Sequence, residues 1–263
     1  MITHFADFRL QTVSLEGVKQ FYNGRLGLPV VSESDGEIRF RLTDLTTLTF
    51  AEAYEPVAPA HFAFEVPWSA FSEAVDYLRK EADVPLLRWP DGHEIDEFDE
   101  SGPGINVYFR DGDGHVLELI AHRGVREDVL PPSGPLKVMY LREVGFPVDD
   151  VLEFREWMSR TFGMKLAKVY DDFTFAIAGT AHAIVVSKQR RWIPIGMLSL
   201  PPRMSVTFGV SGRDALARIR GSLDGERILS ESEDELTIRR GGYPIRFAAT
   251  DVPADLGARL NLP

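Results

Sequence analysis

The stretch INVYFRDGDGHVLELIAH, residues 105–122, contains two apolar runs separated by four turn-forming residues. The first run ends at Arg110 and the second begins at His115, with Asp-Gly-Asp-Gly between them. Glycine accepts the positive φ angles that tight turns need, so the pattern predicts a β-hairpin. Glu118 lies in the middle of the second run, between two leucines. Strand alternation allows this carboxylate to face solvent, and it equally allows the carboxylate to serve as a ligand.

The same order of elements, one strand, one helix and three strands, can be followed from residue 5 onwards. Ser14 is a suitable N-cap and Gly27 a natural C-cap for the first helix. The strands predicted in this first module are 5–13, 28–32, 37–42 and 46–51. The elements predicted in the second module are strand 60–66, helix 67–80, strand 84–89, an acidic loop 90–103 and the hairpin of residues 105–122.

The pattern starts again in the second half of the chain. Asp7 lies twenty residues before Gly27, and Glu143 lies twenty residues before Gly163, with a strand and an amphipathic helix between the members of each pair. The segment 240–243, Arg-Gly-Gly-Tyr, predicts a further hairpin turn. Internal repetition of this kind indicates four βαβββ modules.

The proline-rich stretch after residue 125 predicts a domain boundary. We predict a first domain at residues 1–125, a linker at 126–136 and a second domain at 137–263. Each of these tandem domains contains two modules that are neighbours in the sequence. The predicted fold class is α+β, with cupped mixed sheets.

The composition narrows the class of protein and of partner. The chain has 263 residues and a formal net charge of −11, which disfavours nucleic acid and anionic membranes as partners. It contains no cysteine, so a thiolate nucleophile and a cysteine-bound metal are excluded. The first residues, MITHFADFRL, lack the pattern of a signal peptide, and no stretch approaches about 18 uninterrupted apolar residues. We expect a cytoplasmic protein with a small-molecule substrate.

Three polar residues lie at matching places in the first two modules. Asp7 belongs to the first strand of module one, His61 begins the first strand of module two, and Glu118 belongs to the last strand of module two. If neighbouring modules form a half-open barrel, these positions converge on one cleft. One imidazole and two carboxylates suit Fe²⁺, Mn²⁺, Zn²⁺ or Ni²⁺ and leave coordination positions open. The alternative is that His61 is a polar strand-edge residue and that Asp7 forms a surface pair with Arg9.

The chain resembles the vicinal oxygen chelate superfamily, which includes glyoxalases, bleomycin-resistance proteins and type I extradiol dioxygenases. The resemblance rests on FRLQTVSLEGVKQFYNGRLGLPV (8–30), HFAFEV (61–66) and VYFRDGDGHVLELI (107–120). In extradiol enzymes a Tyr, an Asp-Pro-x-Gly turn and a Glu ligand follow one another closely. Tyr108, the turn at 111–114 and Glu118 keep this spacing, with Gly112 in place of the proline. The resemblance implies metal ligands at Asp7, His61 and Glu118, and a substrate-binding or acid-base role for Tyr108.

The chain also departs from the family pattern at several positions. The first ligand position holds Asp7 instead of the usual His, which adds a negative charge. A His that precedes the Tyr in extradiol enzymes is replaced by the sequence Asp-Glu-Ser at 99–101, and His93 in the acidic loop is a weaker substitute. The fourth ligand of glyoxalases falls near Thr47 or Thr49, which are poor ligands. The ligand positions of the second half hold Glu143, Ser205 and Arg246, so we expect no metal there.

The resemblance implies a divalent-metal-dependent enzyme that acts on a small substrate with vicinal oxygens. Fe²⁺ or Mn²⁺ is favoured, and Zn²⁺ or Ni²⁺ is possible. Two-domain size and the spacing from Tyr108 to Glu118 favour an extradiol-type ring-cleaving dioxygenase. A glyoxalase-type lyase or isomerase is the first alternative. The second alternative is a non-catalytic protein that binds a small molecule, as bleomycin-resistance proteins do.

Overall fold

The structure is a computed structural model that describes residues 1–99, 102–223 and 225–262. Its elements follow the order strand, helix, three strands four times along the chain. Module one comprises β1 (Ile2–Thr12), α1 (Leu15–Lys19), which continues as a π-helix (Gln20–Arg25), β2 (Val30–Ser34), β3 (Glu37–Arg41) and β4 (Thr47–Glu52). Module two comprises β5 (His61–Glu65), a 3-10 turn (Trp68–Ala70), α2 (Phe71–Lys80), β6 (Ile95–Phe98), β7 (Gly104–Arg110) and β8 (Val116–His122).

The second half repeats this order and adds two short pieces. Module three comprises β9 (Tyr140–Val148), α3 (Val151–Phe162), β10 (Lys165–Ala167), β11 (Phe173–Ala178) and β12 (Ala181–Ser187). A short hairpin follows, formed by β13 (Arg191–Trp192) and β14 (Met197–Leu198). Module four comprises β15 (Met204–Ser211), α4 (Arg213–Ser222), β16 (Arg227–Glu231), β17 (Glu235–Arg240) and β18 (Tyr243–Thr250). The chain then forms α5 (Leu256–Arg259).

Local sequence signals set the boundaries of the helices and hairpins. Ser14 caps α1 by accepting a hydrogen bond from the N–H of Gly17, and Asp150 caps α3 by the same type of contact with Glu153. Gly163 ends α3 in the left-handed region, with φ of 68°. The hairpin of β7 and β8 forms as the sequence predicts. These contacts lie within a few residues of the chain, which is why the sequence pattern reveals them.

The strands form two eight-stranded mixed sheets, and each sheet combines modules from both halves of the chain. The strand order of the first sheet is β16-β17-β18-β15-β1-β4-β3-β2, and that of the second is β10-β11-β12-β9-β5-β8-β7-β6. Modules one and four therefore share the first sheet, and modules two and three share the second. The fold class is α+β with mixed sheets, as predicted, but module two pairs with module three, and module one with module four, instead of one with two and three with four. The first strand of every module offers a similar free edge, so local sequence does not determine its partner.

The sheets and helices enclose one continuous apolar core. Phe8 of the first sheet and Phe62 of the second lie with ring centroids 5.2 Å apart, and residues of all four modules belong to the same buried cluster. The predicted linker is packed as well, because Val129 and Leu130 contact a smaller cluster that includes Met139 and Tyr140. No helix in the described parts of the chain is long and apolar enough to cross a bilayer.

One strand lies outside its predicted position. Residues 84–89, predicted as a strand, form only an isolated bridge between Leu86 and Phe109. The edge strand next to β7 is β6, which lies inside the predicted loop at 90–103. Pro85 has no N–H to donate to a neighbouring strand, whereas β6 alternates two exposed and two partly buried residues beside β7. Acidic residues at 96 and 97 obscured this alternation.

A glycine at the contact between the two sheets provides a test of this arrangement. A Cβ atom on Gly179, in the turn between β11 and β12, would lie 2.0 Å from the carbonyl oxygen of Thr3 in β1, and the φ of Gly179 is 57°. We expect Gly179→Ala to lower the free energy of unfolding by about 2–4 kcal/mol. Gly36→Ala, at a turn where nothing lies within 4 Å of the added carbon, is the control. Urea unfolding measures both variants, and equal stabilities would contradict the contact.

Candidate metal centre

Strand register brings three potential ligands together in the second sheet. Ala63 of β5 pairs with Glu118 of β8 on one side and with Glu143 of β9 on the other. Paired residues point to the same face, and His61, two residues before Ala63, points there too. One nitrogen of His61 and one oxygen of each glutamate all lie within 4.8 Å of one another, and all three residues are buried. We call His61, Glu118 and Glu143 the central cluster.

The imidazole of His61 is held in one tautomer. Its Nδ1 lies 3.0 Å from the carbonyl oxygen of Val116. A carbonyl oxygen only accepts hydrogen bonds, so Nδ1 carries the proton and Nε2 keeps a free lone pair. Nε2 lies 3.5 Å from Oε2 of Glu118. Histidine ligands of metals are commonly oriented by this type of backbone contact.

Two residues of β7 orient Glu118. Tyr108 pairs directly with Glu118 across the ladder, and its hydroxyl accepts a hydrogen bond from the amide nitrogen of Asn106 at 3.2 Å. The amide nitrogen of Asn106 donates to Oε1 of Glu118 at 2.8 Å. Burial, and then the charge of Glu118, raise the pKa of Tyr108 well above its ordinary value. The phenol therefore keeps its proton at neutral pH and acts as a donor.

A β-bulge places Arg142 beside the cluster. The register between β5 and β9 shifts after Ala63, so that Arg142 is the extra residue between two paired positions. Its guanidinium donates to Oε2 of Glu65 at 3.1 Å, and its Nε lies 3.4 Å from Oε1 of Glu143. Glu65 is fully buried and also accepts a hydrogen bond from the backbone N–H of His122. Arg142 is thus shared between two buried carboxylates and cannot fully compensate both.

Burial is the main influence on the ionisation of the cluster. Burial lowers the pKa of His61 to about 4, so the ring is neutral at physiological pH. Burial, and then the charge of Glu143, raise the pKa of Glu118 well above its ordinary value. Burial also raises the pKa of Glu143. Two carboxylates in one dry site both favour protonation unless a cation neutralises them.

Two tryptophans from surface segments cover the cluster. The indole of Trp192, in the β13–β14 hairpin, lies with its ring centroid 4.9 Å from that of His61. A Cβ on Gly145 would meet this indole at 2.8 Å, so the glycine makes room for the ring. Trp89, in the segment between α2 and β6, packs edge-on against Tyr108 at 6.2 Å. The site therefore has aromatic walls on two sides.

Several buried polar atoms around the cluster have no hydrogen-bond partner within the described residues. They are Nε1 of Trp89, Nε1 of Trp192, Oδ1 of Asn106, Nε of Arg142 and Nε2 of His182. His182 lies opposite Glu143 in the neighbouring strand β12. Buried polar atoms are usually paired, so unpartnered donors and acceptors concentrated on one face indicate a site for a polar ligand.

Asp7 does not join His61 and Glu118, which corrects the predicted set of ligands. Asp7 lies in the first sheet, where Thr47 and Thr49 donate to its Oδ1 at 2.5 and 2.7 Å. The cause is module pairing, because β1 pairs with β15 of module four and not with module two. Glu143 takes the corresponding position beside β5. Glu143 belongs to the second half, where we expected no metal at the ligand positions.

Of the other predicted site residues, Tyr108 lies at the cluster and His93 does not. His93 is 40% exposed in its side chain, pairs with Asp91 and lies 3.6 Å from Asp96, so it does not reach the cluster. Its ring stacks on Trp89. Of the residues at 99–101 that replace the family's His, Glu100 and Ser101 lie outside the described residues.

A second group of potential ligands is explained by the turn between β7 and β8. The described residues place Asp111, Asp113 and His115 near one another. Oδ1 of Asp111 accepts from the backbone N–H groups of Asp113 and His115, and Oδ2 accepts from Tyr22. Nδ1 of the buried His115 accepts from the N–H of Ala60, which puts its proton on Nε2. These contacts stabilise the turn and leave no free imidazole lone pair for a cation.

Sequence reasoning identified Glu143 as the counterpart of Asp7 but did not assign it to a site. The signal was the twenty-residue spacing that Asp7 and Glu143 share relative to Gly27 and Gly163. Arg142, Asn106 and Trp192 were missed altogether. Their roles depend on a bulge, a cross-strand diagonal and a distant hairpin, none of which leaves a pattern in the sequence.

Replacing Glu118 with Gln tests whether two ionised carboxylates in the buried cluster destabilise the folded protein. A raised pKa means that the folded state binds the proton more tightly, so stability is lost as pH rises from the unfolded value towards the folded one. We expect metal-free Glu118→Gln to be more stable than wild type at pH 7.5, by about 1.4 kcal/mol per unit of pKa shift, and the difference to vanish near pH 4. Urea unfolding across pH measures this. Glu97→Gln on the exposed edge strand is the control, and a pH-independent difference for Glu118→Gln would contradict the assignment.

Comparisons with known proteins agree with the architecture. No family model and no curated protein matches the sequence. Among solved structures, a protein from Bacillus subtilis described as a "putative dioxygenase" is 16% identical, with a TM-score of 0.66, over 100% of this chain and 92% of its own. Glyoxalase I from Zea mays is 14% identical, with a TM-score of 0.56, and the match covers 94% of this chain and 92% of the enzyme. A single-residue variant of that enzyme is 12% identical, with a TM-score of 0.60, and the match covers 94% of this chain and 93% of the variant. The chain therefore has the fold of the vicinal oxygen chelate superfamily along its whole length.

Proposed function

We propose that the protein is a divalent-metal-dependent enzyme that acts on a small substrate with vicinal oxygens, with its metal at His61, Glu118 and Glu143. The observation that carries the proposal is a buried cluster of two carboxylates and a neutral imidazole with too little positive charge around it. A divalent cation would offset the charge of both carboxylates, so that both could remain ionised in the buried site. The fold, shared with a glyoxalase and a described dioxygenase, supports the proposal without naming the reaction.

The residues fit a metal ion on their own chemistry. Nε2 of His61 has its lone pair free, and Glu118 is held in place by Asn106 while Oε2 remains near His61. One nitrogen and two carboxylate donors suit Fe²⁺ or Mn²⁺ best, and Zn²⁺ or Ni²⁺ is also compatible. Three protein ligands leave positions for two substrate oxygens. A bound cation of this kind would act as a Lewis acid towards those oxygens.

The surrounding side chains would bind and orient the substrate. Trp192 and Trp89 exclude water and offer aromatic surfaces against which a flat ring can stack. Tyr108 holds its proton close to Glu118 and can donate it to a substrate oxygen. Oδ1 of Asn106, which has no hydrogen-bond partner among the described residues, is available for a further polar group of the substrate.

Extradiol-type ring cleavage is the first reaction to test, because aromatic walls and a donor tyrosine suit a catechol. A glyoxalase-type lyase or isomerase is the second candidate, and one observation favours it. Glu143 supplies a second carboxylate at the cluster, and a carboxylate can accept a proton from carbon as well as bind a metal. Cytoplasmic location and the lack of nucleic-acid or membrane partners remain predictions from the sequence.

Metal analysis of purified variants tests the ligand set. We expect about one Fe²⁺ or Mn²⁺ per chain in the wild type, and a loss of affinity of 100-fold or more in His61→Ala and Glu143→Ala, because each removes a direct ligand. Asp7→Asn, which changes a carboxylate in the other sheet, should keep its metal. Atomic emission and metal titration measure the content and affinity. Metal loss in Asp7→Asn with retention in Glu143→Ala would contradict the assignment, and a wild type that binds no metal would leave only non-catalytic ligand binding.

Tyr108→Phe separates catalysis from binding. If Tyr108 donates a proton to the substrate, its replacement should lower kcat by about 10²–10⁴-fold and leave the metal content unchanged. Oxygen uptake with a panel of catechols, and loss of hemithioacetal absorbance with glyoxalase substrates, provide the rates. Trp68→Phe, at a half-buried position on the α2 side of the same module, is the control. Unchanged kcat in Tyr108→Phe would rule out the proposed role of the phenol.

A further inference from the structure

The polar face of the first sheet is rich in arginine. Register places six arginines on the face that also holds Asp7, and they are Arg9, Arg39, Arg41, Arg227, Arg239 and Arg246. Three carboxylates share this face, those of Asp7, Glu37 and Glu235. The face is therefore cationic in a chain whose net charge is −11. The corresponding face of the second sheet holds the acidic central cluster.

Several of these guanidinium groups have no carboxylate partner among the described residues. Arg9 pairs with Glu37, and Arg246 lies 3.9 Å from Glu235. Arg239 donates only to the backbone carbonyl oxygen of Gly242, at 3.1 Å. Arg227 stands directly opposite Arg239 across the β16–β17 ladder. Like charges in this position destabilise a sheet, and a bound anion would offset the repulsion.

A pocket of about 510 Å³ lies at one end of this face, where β17 ends and β15 and β18 begin. Arg9, Arg203 and Arg239 line it, and no acidic residue does. Arg203 comes from the segment before β15 and is also paired with Glu55. The apolar part of the lining includes Leu10, Met204, Pro201 and Pro202. The volume and this mixture of surfaces are typical of small-molecule sites.

We propose that this pocket binds a small organic anion, with its carboxylate or phosphate group on Arg239 and Arg203 and its apolar body against Leu10 and the prolines. Planar guanidinium groups bind such oxygens in pairs. A long anionic polymer is disfavoured, because the overall charge of −11 repels it. The site lies in the other sheet from the central cluster and does not depend on a metal there.

Calorimetric titration with phenyl phosphate, benzoate and the neutral benzyl alcohol tests the pocket. We expect one saturable site for the two anions and none for the alcohol. Arg239→Gln and Arg203→Gln should each weaken anion binding by about tenfold or more, because each removes a charge-assisted hydrogen bond. Arg160→Gln, on the exposed side of α3, is the matched control and should change binding less than twofold. Circular dichroism and thermal unfolding confirm that the variants are folded.

Comparing anion binding in His61→Ala and in the two pocket variants distinguishes the pocket from the central cluster. His61→Ala should bind phenyl phosphate as the wild type does, and this would support the pocket even if no metal were found. Loss of anion binding in His61→Ala, with retention in both pocket variants, would overturn the proposal by placing the anion at the central cluster. Equal affinities for Arg239→Gln, Arg203→Gln and Arg160→Gln would also overturn it. So would the absence of saturation by either anion up to about 10 mM.

Discussion

The antiparallel pairing of β5 with β9 is the contact on which the candidate metal centre depends. It sets Ala63 between Glu118 and Glu143, and it joins two modules separated by a linker. A shift of this register by one residue would turn Glu143 away from His61, because neighbouring residues of a strand face opposite sides. The bulge next to Ala63 then adds Arg142 to the same face. Backbone hydrogen bonds thus determine which side chains meet.

Burying this cluster has a cost that the neighbouring residues reduce only in part. Arg142 lies between Glu65 and Glu143, and Asn106 donates a hydrogen bond to Glu118. Removing charges from water is expensive unless they are paired and hydrogen-bonded. The remaining negative charge, the neutral ring of His61 and the unpartnered polar atoms are consistent with a site built to hold a cation and a polar ligand. The same features would make the metal-free protein less stable than the metal-bound one.

The two sheets share an architecture but present opposite charges. At the level where Ala63 and Glu143 pair in the second sheet, Thr207 pairs with Asp7 in the first. Hydroxyl groups of Thr47 and Thr49 satisfy Asp7, and arginines occupy the rows around it. Because polar faces contribute little to the core, their side chains can differ while the apolar faces keep the fold. One scaffold can therefore carry a candidate cation site on one sheet and a candidate anion site on the other.

The sequence by itself determined the element order, the helix caps, the β7–β8 hairpin and the fold class, because these depend on contacts between residues close in the chain. It also predicted the strands of module two that contain His61, Tyr108 and Glu118. It did not determine which modules pair, so it predicted Asp7 beside His61 and Glu118, where the structure has Glu143. Only the tertiary structure decided that choice, because all four first strands offer similar edges and the partner is selected by packing across the whole molecule. Arg142 and Trp192 lie beside the cluster for the same reason, whereas Asn106 lies diagonally opposite Glu118 in the local β7–β8 hairpin.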